Sequence, residues 1–182
     1  AQQELGFLGC NFKKKIIPGM THWQHPSFFA YFPANSSPPS VLAEMLTSTL
    51  GAQCMLWQTS PAATEMETRI TGWLQKMIGL PTDLHGVIQD SASSATLCAL
   101  LTAREKATDW RTNKEGMNSL SSSLIVYTSE EAHSSTEKGA KIAGFGKDSV
   151  RLIRTGNNFE MCPEALRRNV IEDISNGHIL HV

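Results

Sequence analysis

Apolar and polar positions along the chain follow two periods, and the changes of period separate longer helices from short strands. Apolar side chains recur at helical spacing after Ser60-Pro61 and mark one face of a helix that stops at Leu80-Pro81: Met66, Ile70, Trp73, Leu74, Met77 and Ile78. Serine before proline is a favourable start for this helix. The same reasoning predicts further helices over residues 40–50, 93–106, 134–143 and 163–175.

Short apolar or β-branched runs between these helices predict strands over residues 86–88, 124–127 and 150–153. We expect the first to be buried, and we expect the polar segment 109–119 to be an exposed loop. Residues 1–20 are typical of a helix end followed by a break at Pro18-Gly19. Strands that alternate with helices indicate a mostly parallel sheet flanked by helices, so the predicted fold class is α/β.

Composition narrows the class of protein. The chain has 182 residues, of which 41% are hydrophobic and 18% charged, and its formal net charge is −1. This balance is typical of a soluble domain and argues against a nucleic-acid partner, which would need a basic patch. The short basic run Lys13-Lys14-Lys15 is interpreted as a solvated helix end. No apolar run is long enough to span a membrane and no signal peptide is recognisable, so we expect a cytoplasmic protein with no membrane partner.

The cysteines and histidines show no metal-binding spacing. No pair of cysteines forms a Cys-x-x-Cys motif, and Cys98 lies in an apolar helix pattern where we expect it to be a buried free thiol. His22 and His25 lack a neighbouring carboxylate or cysteine, so no metal site is predicted. The expected environment is reducing. The cysteines are Cys10, Cys54, Cys98 and Cys162.

Three segments carry candidate chemistry. In the first, the strand at 86–88 runs into Ser91-Ala92-Ser93 at the start of a helix, where free amides and hydroxyls favour an anion. A plain serine-capped helix is the alternative, and the neighbouring Asp90 disfavours a phosphate. In the second, His133 follows a strand and precedes a helix, where an imidazole can stack on a planar ring or move a proton. A helix cap or surface histidine is the alternative.

The third segment is an aromatic loop over residues 21–33, in which seven of the thirteen residues are Trp, Phe, Tyr or His and two are proline. Such a loop is typical of a wall around a flat apolar ligand. Packing of the loop against the core is the alternative.

Together these segments resemble the group II pyridoxal-phosphate-dependent amino-acid decarboxylases, and most of all the aromatic-L-amino-acid type. The resemblance runs from about Ile16 to Gly177. The residues that carry it are THWQHPSFFAYFPANSS, SPAATEMETRITGWLQKMIGLP, GVIQDSASSATLCALLTAR and YTSEEAHSSTEKGAKIAG.

The resemblance implies the large domain of a fold-type I (aminotransferase-like) transferase, an obligate homodimer and pyridoxal 5'-phosphate as cofactor. It places Ser91, Ala92 and Ser93 on the cofactor phosphate and stacks His133 on the pyridine ring as a possible proton donor. It further implies that a substrate pocket is lined by the aromatic loop and by a stretch that reaches the partner's pocket: Trp23, Tyr31, Phe32, Pro33, Ala34, Gln53 and Met55.

Departures from the family pattern concern substrate identity and completeness. Asp90 stands where many relatives have glycine, Ser94 replaces a common glutamate, Ala34 replaces a threonine, and Gln53 is more polar than the usual aliphatic residue. The family's Schiff-base lysine motif and its Asp-Ala-Ala motif do not occur. We therefore expect an incomplete domain, with residues 1–37 ending an N-terminal segment and residues 38–182 forming part of the cofactor-binding large domain.

The expected function of the full-length protein is decarboxylation of an aromatic or related L-amino acid to the amine and carbon dioxide. One alternative is an aromatic aldehyde synthase on the same scaffold. Another is a non-catalytic short form that acts as a dimerisation partner. The fragment alone is expected to be inactive, because it lacks the lysine, and to expose apolar faces and strand edges.

Overall fold

The computed structural model describes Gly9, residues 11–32 and residues 35–180. The chain divides into two units between Thr64 and Glu65. The domain boundary predicted between residues 37 and 38 stays a prediction. Among the described residues, no helix combines the length and the hydrophobicity that crossing a membrane requires.

The first unit contains a short helical segment and one regular helix. A π-helical turn (Phe12–Ile16) and a 3-10 turn (Ile17–Gly19) end at extended backbone, so the helix end predicted before this point is confirmed. Helix α1 (Pro38–Leu50) starts at a reciprocal cap, in which the Ser37 hydroxyl accepts from the Ser40 N–H and Ser40 Oγ accepts from the Ser37 N–H. It ends at Gly51, whose φ of 56° lies in the left-handed region that glycine adopts easily.

Helix α2 (Pro61–Met77) confirms the helix predicted from the apolar spacing. Much of its apolar face is exposed in the described chain. Even the largest of these side chains, Trp73, is 56% exposed. The exposed apolar residues of this face and its C-terminal extension are Met66, Ile70, Trp73, Leu74, Met77 and Ile78.

The second unit is built on a parallel sheet with the strand order β2-β1-β3. Strand β1 (Leu124–Ser129) pairs with β2 (Val150–Ile153) from Val126 opposite Val150 onward. It pairs on its other edge with β3 (Ile179–Leu180). The predicted strands at 124–127 and 150–153 are therefore confirmed, and so is the parallel sheet.

Helices cover both faces of this sheet. Leu124 and Val126 of β1 pack into one core cluster with Leu100 of α3 (Ala92–Ala107) and Ala140 of α5 (Ser135–Ile142). Because side chains alternate along a strand, Tyr127 belongs to the opposite face. Its hydroxyl donates to a carboxylate of α6 (Pro163–Ser175). The predicted α/β layering and the predicted helices at 93–106, 134–143 and 163–175 are confirmed.

A buried ion pair fixes α6 to the sheet. The Asp173 carboxylate is 4% exposed and accepts from Arg151 Nη2 at 2.7 Å, from Arg151 Nε at 3.1 Å and from the Tyr127 hydroxyl at 2.9 Å. The hydrogen bond from Arg151 holds the pKa of Asp173 below its ordinary value, against the effect of burial. Burial and the neighbouring Asp173 raise the pKa of Tyr127. One carboxylate therefore joins β1, β2 and α6.

The prediction of a buried strand at 86–88 was wrong. Among the described residues this segment pairs with no strand, and Val87 is 71% exposed. The Ile88 N–H instead donates to the carboxylate of Glu67 on α2 at 2.8 Å. The β-branched residues favour an extended backbone, but a strand also needs a neighbour with free backbone groups.

The prediction of an exposed loop at 109–119 was also wrong. It contains α4 (Arg111–Glu115) and a 3-10 turn (Met117–Ser119), and Thr112 is buried. The buried carboxylate of Glu105 organises this segment by accepting from the Thr112 hydroxyl at 2.8 Å and from the Asn113 N–H at 3.0 Å. Burial raises the pKa of Glu105, but the hydrogen bonds from Thr112, Arg104 and Asn113 outweigh it and hold the pKa low.

The prediction that Cys98 is buried was wrong. It is a free thiol on the exposed side of α3, whereas Leu97 and Leu101 beside it pack against the core. The apolar run therefore contains both buried and exposed positions, which composition alone does not separate. Cys54 and Cys162 are also free thiols, and Cys10 lies outside the described residues.

Candidate cofactor and substrate site

The start of α3 presents a helix N-terminus made of small residues. Ser91 is the N-cap, with extended backbone, and its hydroxyl oxygen accepts from the Ser94 N–H at 3.3 Å. Ser91, Ala92 and Ser93 are all exposed. The first amides of a helix have no partner within the helix, and α3 is 16 residues long, so its start favours an anion. The exposed Asp90 beside it is open to solvent, which screens its charge.

A hydrogen-bonded loop carries His133 beyond the C-terminal end of β1. The Glu130 N–H donates to the Ile153 carbonyl of β2 at 3.0 Å. Its carboxylate accepts from the Thr155 N–H at 2.7 Å and from the Thr155 hydroxyl at 2.9 Å. These bonds lower the pKa of Glu130. The loop that ends at His133 is thus tied to the neighbouring strand.

The imidazole of His133 is exposed on one side and held on the other. Its Nδ1 lies 3.2 Å from the backbone nitrogen of Ser135, which donates to it, and 3.0 Å from the Ser135 hydroxyl oxygen. Ser135 is itself buried. One ring nitrogen is therefore engaged with the protein, and the rest of the exposed ring is open to a ligand.

Helices α3 and α5 run side by side in the same direction. A methyl group on Gly139 of α5 would lie 3.0 Å from Leu100 Cδ1 and 3.8 Å from Leu97 Cα on α3. Further along both helices, Arg104 Nη1 donates to the Ala143 carbonyl at 2.6 Å. The start of α3 and the start of α5 consequently lie at the same end of the pair. The roles predicted for Ser91, Ala92, Ser93 and His133 stay predictions.

The aromatic loop in the first unit forms its own cluster. The ring of Trp23 stacks on Tyr31 with centroids 5.5 Å apart and an interplanar angle of 18°, and it lies 5.1 Å from the ring of Phe28. Tyr31 has a φ of 57°, an uncommon left-handed conformation for a bulky residue. A cavity of about 320 Å³ lies beside Trp23, His25 and Phe28.

The other predicted substrate residues that the structure describes are exposed. Phe32 and Met55 are 93% and 75% exposed, and Gln53 is exposed as well. Pro33 and Ala34 lie outside the described residues. His25 Nδ1 accepts from the Ser27 N–H at 3.1 Å. Within the described part of the chain, no group of three or more histidine, cysteine or acidic residues is placed to hold a metal ion.

Sequence analysis did not single out three residues that contact predicted site residues or hold the loop before them: Ser135, Glu130 and Phe28. Ser135 stands two positions after His133, a spacing at which a backbone N–H readily meets a side-chain acceptor, so the signal was present in the sequence. Glu130 gave no such signal, because its partner Thr155 is 25 residues away. Phe28 lies within the predicted aromatic loop, but only the structure distinguishes it from Phe29, which is 92% exposed.

Comparison with known proteins gives a consistent picture. The family model described as the pyridoxal-dependent decarboxylase conserved domain matches residues 2–182. Tyrosine decarboxylase 4 of Petroselinum crispum is 41% identical over 91% of this chain and 33% of its own length. Phenylacetaldehyde synthase of Arabidopsis thaliana is 42% identical over 92% of this chain and 35% of its own length.

Solved structures agree with the sequence comparison. Tryptophan decarboxylase of Catharanthus roseus, in complex with L-tryptophan, superposes with a TM-score of 0.87 at 36% identity. The match covers 97% of this chain and 38% of that structure. The chain thus spans about a third of the length of the curated relatives that it matches.

Proposed function

We propose, since the chain belongs to the pyridoxal-dependent decarboxylase family, that its natural-length protein converts an aromatic L-amino acid to the amine and carbon dioxide. The observation that carries this proposal is the family match over residues 2–182. The side-by-side start of α3 and α5 supports it, because a phosphate site and a ring-stacking site have to be near each other. When bound, pyridoxal 5'-phosphate takes up the electron pair that is released as the carboxylate leaves.

The start of α3 is proposed to hold the cofactor phosphate. Its free amides supply donors, Ala92 leaves room for close approach, and Ser93 adds a hydroxyl. The Ser91 hydroxyl donates to Ser94 Oγ, 3.2 Å away, and can turn this hydrogen to a phosphate oxygen. The chemistry of this donor set therefore fits a phosphate.

His133 is proposed to stack on the cofactor ring and to move a proton at its free ring nitrogen. An exposed imidazole held by one nitrogen fits this role, because its plane is fixed and its outer edge is accessible. The engaged Nδ1 leaves Nε2 as the atom that exchanges a proton with the ligand. A stacked ring also excludes water from one face of the site.

Trp23, Tyr31, Phe32, Pro33, Ala34, Gln53 and Met55 are proposed to line the substrate pocket. The stacked pair of Trp23 and Tyr31 supports this role, because it forms a flat apolar surface suited to an aromatic side chain. The substrate named for the solved relative, L-tryptophan, has such a side chain. For Gln53 and Met55 the proposed pocket is that of the partner subunit.

A cytoplasmic homodimer is the proposed state of the protein. The exposed apolar residues of α1 and α2 support an extensive covered surface in the natural-length protein, because single soluble chains rarely leave such faces open. Light scattering of the natural-length protein tests the dimer. A monomeric mass at micromolar concentration would contradict it.

An aromatic aldehyde synthase is the second candidate. The observation that favours it is the similarity to phenylacetaldehyde synthase, at 42% identity against 41% for tyrosine decarboxylase 4. A decarboxylase gives amine, whereas a synthase gives aldehyde, ammonia and peroxide. A non-catalytic short form is the third alternative, and it predicts that the 182-residue chain co-elutes with the natural-length enzyme.

The decisive experiment incubates the natural-length protein and pyridoxal 5'-phosphate with L-tyrosine, L-tryptophan and L-phenylalanine. We expect amine and carbon dioxide in equal amounts. His133→Gln should lower kcat by a factor on the order of 100 or more, as the loss of a positioned proton donor does. His85→Gln is the matched control, because His85 is an exposed histidine of the same unit. Equal activity of His133→Gln and the control would refute the role of His133.

A further inference from the structure

The start of α5 is capped in an unusual way. Ser134, at the N-cap position, makes no side-chain hydrogen bond to the helix. The first amide, that of Ser135, instead donates to the Nδ1 atom of the preceding His133 ring at 3.2 Å. The backbone closes the same turn, because the Thr136 N–H donates to the His133 carbonyl at 3.1 Å. The imidazole thus serves as the cap of this helix.

This contact determines where the ring proton lies. A backbone N–H can only donate, so the Nδ1 atom that it faces must offer its lone pair. A neutral imidazole carries one proton, and with Nδ1 as acceptor that proton belongs on Nε2. The Ser135 hydroxyl, 3.0 Å from the same Nδ1, then donates as well.

We propose that Ser135 is a positioning residue that fixes neutral His133 as the Nε2–H tautomer. The ring then offers one N–H, at Nε2, to an acceptor on a ligand, while Nδ1 is occupied by the protein. The burial of Ser135 supports this role, because water cannot easily replace either donor. The consequence for catalysis rests on the proposed function, whereas the tautomer itself does not.

The first test determines the tautomer without cofactor. The natural-length protein is labelled with 15N-histidine, and solid-state NMR is recorded at a pH where the ring is neutral. The His133→Gln spectrum assigns the His133 resonances. We expect a bare Nδ1 and a protonated Nε2. A protonated Nδ1, or an equal mixture of tautomers, would overturn the proposal.

The second test separates positioning from plain stability. Ser135→Ala keeps the amide but removes the hydroxyl. The 15N chemical shift of Nδ1 should therefore move toward the value of a ring nitrogen that accepts a weaker hydrogen bond. In the enzyme supplied with pyridoxal 5'-phosphate, kcat should fall about fivefold with KM unchanged. Ser135→Thr should restore both readouts. Ser134→Ala removes a hydroxyl that makes no cap hydrogen bond and should change neither.

The outcomes are distinguishable. An Nδ1 resonance that is the same in Ser135→Ala and the wild type would refute Ser135 as a positioning residue. If instead the tautomer is as proposed while His133→Gln leaves activity intact, the proposed role of His133 fails and the positioning by Ser135 stands. Ser135→Ala keeps the first amide of α5, so this variant is expected to fold.

Discussion

Removal of the Asp173 carboxylate should open the sheet locally, because this group joins β1, β2 and α6. In Asp173→Ala three hydrogen bonds are lost, and the Arg151 guanidinium and the Tyr127 hydroxyl remain without their partner. Breaking a buried ion pair costs about 3–5 kcal/mol. The Arg151 side chain is 27% exposed and partly solvated, so the lower end, about 3 kcal/mol, is expected.

Native-state hydrogen exchange at the amides of β1 in the natural-length protein measures this cost. The local opening free energy should fall by about 3 kcal/mol in Asp173→Ala. In Tyr127→Phe, which loses one hydrogen bond to a charged acceptor, it should fall by about 1.5 kcal/mol. Asp83→Asn, a change at an exposed carboxylate, is the control. A loss below about 1 kcal/mol in Asp173→Ala would refute the view that this pair is a central tie.

The same pair gives a pH dependence with a definite sign. Because the pKa of Asp173 is lowered in the folded protein, its contribution to stability is complete above the unfolded-state pKa of about 3.9. The contribution is lost as the pH falls below that value and through the folded pKa. Asp173→Asn should remove this part of the acid dependence. An unchanged acid profile in this variant would contradict the assignment.

Two further predictions concern packing and the segment after α3. Gly139→Val should destabilise the folded protein by about 1–3 kcal/mol, because the added Cβ would press on Leu100. Gly72→Ala in α2 should stabilise it by up to about 1 kcal/mol, because nothing lies within 4 Å of the added Cβ. Thermal unfolding of both variants checks the pair, and equal shifts would refute the close contact of α3 with α5. Glu105→Ala should speed proteolysis within residues 109–119, since the carboxylate holds Thr112 and the Asn113 amide. Glu115→Ala is the control, and equal cleavage in both would contradict the tie.

The regular helices could be predicted from local sequence signals, because the residues that start and end a helix lie within a few positions of its ends. Pro163 at the start and Gly177 beyond the end bracket α6, and Gly51 ends α1 with a positive φ. The segment 86–88 was misassigned because strand formation depends on a neighbour, which local propensity does not report. Segment 109–119 was misassigned because its order comes from Glu105, whose burial is a property of the tertiary fold.

The candidate site likewise combines features that follow from local sequence with features that only the tertiary fold provides. Ser91 as a helix cap and His133 at the end of β1 follow from residue order alone. That the two helices start at one end of the unit depends on the close approach at Gly139, which no local pattern announces. The hydrogen bond from the Ser135 amide to His133 lies between these cases, because it is local in sequence but needs a specific turn.

The parallel run of α3 and α5 offers a place for protein engineering. Helix α3 has 16 residues and spans about 24 Å, so the turn that follows α4 is far from Ser91 along this axis. Gly116 in that turn is exposed and has a φ of 77°. A fluorescent domain or an affinity tag inserted after Gly116 would keep the hydrogen bonds of Thr112 and Asn113 to Glu105. It would also lie at the end of α3 opposite to the proposed cofactor site.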